Sequence, residues 1–137
     1  MVFAGVNYFS IVVAAIAGFA FGALYYMTLA KPWMAAIGLT KAKIQKNGTH
    51  TLYFISFLAN LVMAWVLAGV LGHLGPGQVI IQNGIISAAF IWFGFVITTM
   101  AVNNGFGMRK TMLTVIDAGH WLGVLLIMGG IIGAFGV

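Results

Sequence analysis

Four long apolar runs alternate with short polar breaks along the chain. The first extends from about Val6 to Leu29, the second from Thr51 to Leu71, the third from Val79 to Val102 and the fourth from Thr114 to Val137. A helix needs about 20 mostly apolar residues, rising about 1.5 Å each, to cross the hydrocarbon core of a bilayer. Each run is long enough. The breaks carry residues that stop helices and favour turns: Lys31-Pro32, Asn47-Gly48, Gly75-Pro76-Gly77 and Asn103-Asn104-Gly105. The pattern predicts an all-α membrane protein, one domain over residues 1–137, built as a bundle of four transmembrane helices. The expected spans are 6–29, 51–71, 79–102 and 114–137, with loops at 30–50 and 103–113.

Composition narrows the class further. Of 137 residues, 63% are hydrophobic and 5% are charged, against about 25% charged in a soluble domain. Such a chain cannot cover a water-facing surface, so its expected surroundings are a lipid bilayer. The net charge of +5 comes from six Lys and Arg against one acid. These few basic residues flank apolar segments, which points to a membrane surface and away from nucleic acid. The chain has no cysteine, which excludes disulfides, thiol catalysis and cysteine-ligated metal. No cofactor is expected.

The basic residues also set an orientation. Lys31, Lys41, Lys43 and Lys46 lie between spans one and two, and Arg109 and Lys110 lie between spans three and four. In a four-span chain both loops fall on the same face, and the opposite face has no Lys or Arg. The positive-inside rule then makes both basic loops cytoplasmic and puts both termini on the non-cytoplasmic side. Met1–Gly5 lacks the basic start of a signal peptide, so the first span is expected to be retained.

Residues 33–46 are too polar to span. Trp33, Met34, Ile37 and Ile44 suit the headgroup region, with Lys41, Lys43 and Lys46 facing phosphates. Gly38 is expected to end one short helical turn and Thr40 to cap the next; a solvated loop is the plainer alternative. Within the spans, small residues recur at close-packing intervals: Ala14, Gly18 and Gly22 in the first, and Gly119, Gly123, Gly129 and Gly133 in the last. Lipid tails are as apolar as leucine, so membrane helices associate by such close packing. Two uses stay open, packing inside the bundle and a subunit interface.

Few polar residues interrupt the spans. Asn60 lies near mid-bilayer with Ser56 one turn before it. It is expected either to clamp two helices or to line a path. Gln82, Asn83, His50 and His73 sit at span ends, where water satisfies them. No metal site is expected, because one acid and three scattered histidines give no ligand pair. Met108 and Met112 share a spacing found in copper-handling membrane proteins, although methionine more often fills gaps. The Gly105–Gly107 stretch lacks the strand and helix context of a phosphate loop.

The one acid, Asp117, stands at the head of the fourth run, in "TVIDAGHW". As a helix cap it accepts backbone N–H bonds, and Ala118–Val137 alone is long enough to cross. As a site residue it shares a helix face with His120 and Trp121. Tyr25, Tyr26, Thr98 and Thr99 reach a similar depth. An acid, an imidazole and phenols at one depth suit a proton relay or a cation site, or a static polar lock between spans. The candidate polar site is therefore Asp117, His120, Tyr25, Tyr26, Asn60 and Thr98. His120, Arg109 and Tyr25 are the expected partners of the carboxylate.

Together these motifs resemble a family of bacterial four-helix membrane proteins, domain of unknown function 1761. Its marks are an early Asn and a glycine-containing span, then an aromatic pair, Lys and Trp. Here they read as Asn7, Gly22, Tyr25-Tyr26, Lys31 and Trp33, followed by "MAAIGLT". Gly94-Phe95 in span three and "IDAGHW" complete the set. The family often has Trp-Tyr and then proline at the first site, where this chain has Tyr25-Tyr26 and a later Pro32. The resemblance implies four spans and a bacterial inner membrane, and brings no activity with it.

Two functions follow from the residues. One is a homo-oligomeric transporter or channel with its polar site at Asp117, since four helices barely enclose a path. The other is a non-catalytic accessory subunit of a larger membrane complex, packed through its glycine faces. An enzyme is not expected, since one acid, three scattered histidines and no cysteine leave few catalytic pairs.

Overall fold

A computed structural model describes residues 5–136, and all its regular structure is helical. Val137, the expected end of span four, lies outside the described residues. Helix α1 covers Tyr8–Thr28. Asn7 caps it: the Asn7 side chain accepts the Ser10 N–H at 3.1 Å, and the Ser10 hydroxyl donates to the Asn7 carbonyl at 2.7 Å. After Leu29 the chain turns directly into α2, Ala30–Ile37. Pro32 is tolerated there because the first turn of a helix has no partner for its missing N–H. Gly38, in the left-handed conformation at φ 72°, ends α2, and Thr40 caps α3, Lys41–Asn47, by accepting the Lys43 N–H. The polar stretch between the first two spans is thus two short helices.

Helix α4 covers His50–Gly72. A turn with Gly75 and Gly77 at positive φ leads to α5, Ile81–Phe106, which contains one π-helical turn at Trp92–Val96. A four-residue link then enters α6, Thr111–Phe135. Four of the six helices, α1, α4, α5 and α6, are long and apolar enough to cross a membrane. The loop expected at 103–113 is therefore largely helix. Helix α6 begins at Thr111, because Thr111–Ile116 continues the helix without a break.

Helix α6 is the centre of the bundle, packed mainly against α5 on one side and α1 on the other, with α4 against α1. Two different glycine contacts make this possible. Gly84 and Gly129 face each other so closely that a Cβ on either would meet the other's backbone, and one on Gly133 would meet the backbone of Ile80. This is backbone-to-backbone packing of α5 on α6. Between α1 and α6, glycines instead make room for large side chains. Phe21 covers Gly123, the Tyr25 hydroxyl lies over Gly119, and the His120 ring lies over Gly22. Gly18 receives Asn60 and Met128. Leu67, Leu71, Val124, Met128 and Ile132 fill the core between these contacts.

Candidate functional site

Asp117 does not cap a helix. It lies about 9 Å along α6 from Thr111, inside regular helix. Its backbone is satisfied there, which leaves both carboxylate oxygens for other donors. Tyr26, in the last turn of α1, donates its hydroxyl to Asp117 Oδ1 at 2.6 Å. The Trp33 indole, on α2, interacts with the same carboxylate, and the Tyr26 and Trp33 rings meet edge to face at 5.7 Å. Three helices therefore converge on the one acid.

The partners expected from sequence differ from those found. The Tyr25 hydroxyl donates to the Ile116 carbonyl at 2.7 Å. Helical phase explains the exchange: neighbouring residues point about 100° apart, so only one of the two tyrosines can meet the carboxylate. On α5, the Trp92 indole N–H donates to the Ala118 carbonyl at 2.8 Å. The carbonyls on either side of Asp117 are thus each held by a side chain from another helix, using the second lone pair that a helical carbonyl retains. Arg109 is exposed, in the link before α6.

His120 lies one turn deeper on α6 and is 7% exposed. Aromatic rings surround it: Trp121 at 4.5 Å, Tyr26 at 4.8 Å, Tyr25 at 5.7 Å and Phe21, stacked, at 6.5 Å between centroids. Its Nδ1 is buried and has no hydrogen-bond partner among the described residues. Asn60 follows, about one further turn toward mid-membrane, since it packs on Gly18 and His120 packs on Gly22. Asn60 is 1% exposed. Its amide N–H donates to the Ser56 carbonyl at 2.8 Å, and its Oδ1 is left without a partner.

Asp117, Tyr26, His120 and Asn60 thus form a polar column on the face of α1 that carries Gly18 and Gly22, with Tyr25 beside it. Thr98 is not part of it. It is exposed and returns its hydroxyl to the Gly94 carbonyl of its own helix at 2.8 Å, as Thr99 does to Phe95. Trp33 and Trp92 belong to the site without having been singled out as site residues. Trp33 carried a signal as a family mark; Trp92 offered only the general need of a buried indole N–H for an acceptor. Asn7, the early mark, is an N-cap at the opposite end of α1. Met108 lies in the link before α6 and Met112 in the first turn of α6, and both are exposed. No group of three or more His, Cys, Asp or Glu is placed to hold a metal among the described residues.

No curated protein and no solved structure matched the chain. A family model, described as a protein of unknown function (DUF1761), matches residues 9–133, from the first turn of α1 to the last turn of α6 and so across the whole polar column. The chain belongs to the DUF1761 family.

Proposed function

We propose that this protein is a homo-oligomeric transporter or channel of the bacterial inner membrane, with Asp117, Tyr26 and His120 as its ion- or proton-binding site. One observation carries the reading: the only acid of the chain is held inside a membrane-length helix, one turn from a buried histidine whose Nδ1 has no partner among the described residues. Ionisable residues within membrane segments are costly and commonly mark ion or substrate pathways. Side chains fill the centre of the protomer, so a continuous path needs more than one copy. The accessory-subunit reading and a glycine-lined subunit interface both drew on the glycine stripes, and in this fold those glycines face the chain's own side chains and backbone; a second copy would pack on other faces.

Reconstitution of the purified chain in proteoliposomes tests this. Flux of protons, Na+ or K+ should be detectable, and Asp117→Asn should fold normally yet lose it. Absence of flux for all three ions, or full activity in Asp117→Asn, refutes the proposal.

A further inference from the structure

All six Lys and Arg residues are exposed and lie at one end of the bundle, where α1, α5 and their links to α2 and α6 end. The sole acid lies beneath that surface with its carboxylate engaged by Tyr26, so no carboxylate neutralises these cations. The fold also joins the two basic loops. Lys110 donates its ammonium to the Ala35 carbonyl of α2 at 3.4 Å, across 75 residues of sequence. Lys31 stands one turn before Ala35 on the same helix, and Arg109 adjoins Lys110. Next to these cations are side chains that water does not suit: Phe106 is 88% and Met108 93% exposed.

We propose that Lys31, Arg109 and Lys110 form a binding site for the headgroup of an anionic phospholipid. Its phosphate would sit among the three cations and its acyl chains beside Phe106 and Met108. A soluble anion could use the same cations, but these lie at the end of a bundle of membrane-length helices, where lipid headgroups are the nearest anions. Lys31 and Trp33 are two positions apart on α2, about 200° around the helix, so lipid and Asp117 engage opposite sides of α2. A bound headgroup therefore holds α2, and with it Trp33, over the Asp117 site. The inference is independent of whether that site transports anything.

The test is thermal unfolding of the full chain in neutral detergent with added phosphatidylglycerol, phosphatidylcholine or inorganic phosphate. Phosphatidylglycerol should raise the unfolding midpoint saturably, and raised salt should abolish the effect, as expected for screened surface charges. The Lys31→Gln/Arg109→Gln/Lys110→Gln variant should bind about tenfold more weakly or worse. The Lys41→Gln/Lys43→Gln/Lys46→Gln variant removes as many charges from the same end and should lose clearly less of the response than the first variant. Equal stabilisation by phosphatidylcholine or by phosphate alone overturns the proposal, as does a full response in the first variant. Should that variant not fold, a salt-insensitive response in the wild type overturns it equally.

Discussion

Tyr25 and Tyr26 are adjacent and chemically identical, yet they hold different acceptors, a neutral carbonyl and a carboxylate. The Tyr26 bond is 2.6 Å long, and a hydroxyl donating to an ionised carboxylate makes a bond roughly twice as strong as a neutral one. Interhelical hydrogen bonds in membranes average about 0.6 kcal/mol and reach about 1.7. Tyr25→Phe should therefore cost about 0.5 kcal/mol and Tyr26→Phe about 1–2 kcal/mol, measured by unfolding in detergent. Equal losses would mean that the carboxylate adds nothing to the Tyr26 bond. That an aromatic pair and the acid share a depth was legible from residue counts along the spans. Which tyrosine reaches the acid depends on helical phase relative to α6, and that is fixed only by packing. The cap role offered for Asp117 was also not met: a lone Asp in an apolar run resembles a helix start, whereas an interior Asp paired with a hydroxyl does not interrupt the helix.

At the scale of elements, the π-helical turn Trp92–Val96 explains another difference between sequence and structure. An extra residue in a turn rotates everything beyond it by about 100° relative to a regular helix. Thr98 and Thr99 lie just past it and are exposed, while Trp92 at its start reaches the Ala118 carbonyl. No periodicity argument based on 3.6 residues per turn could have placed them. The glycine contacts give a prediction that separates kinds of close approach. A Cβ at Gly84 meets the Gly129 backbone, which cannot move without parting two helices. At Gly22 it would lie 2.7 Å from His120 Nε2, a ring confined by other rings. At Gly94 it would meet nothing within 4 Å. Gly84→Ala should thus cost the most, at or above the usual overpacking loss of about 1–3 kcal/mol. Gly22→Ala should fall within that range, and Gly94→Ala should be neutral or gain up to about 1 kcal/mol from helix propensity. Thermal midpoints of the three variants check the order, and a well-folded Gly84→Ala would show that α5 and α6 are less tightly apposed than described.

For the whole molecule, the same features that predict the fold also predict an orientation. The four spans were legible because hydrocarbon imposes a length that only long apolar runs meet. The connections then follow from parity, since each span reverses the chain. Parity alone leaves two orientations, and charge selects between them. Helices α2 and α3 and the α5–α6 link carry all six cations, while the α4–α5 turn at the other end carries none. Moving the basic end across the membrane would mean translocating Lys31, Lys41, Lys43 and Lys46 within one short segment, together with Arg109 and Lys110. The bias of Lys and Arg in short loops opposes that movement, whereas the α4–α5 turn meets no such barrier. The proposed headgroup site points the same way, because anionic lipids enriched on the cytoplasmic side reward a basic end placed there. We therefore expect the α4–α5 turn to face outward and α3 to face the cytoplasm. The chain has no native cysteine, so single cysteines can report this directly. His73 and Gln45 are both exposed, one at each end. In intact cells a membrane-impermeant thiol reagent should label His73→Cys, and should label Gln45→Cys only after permeabilisation. The reverse pattern would invert the protein in the membrane, and equal labelling of both would mean that the charge bias does not determine its insertion.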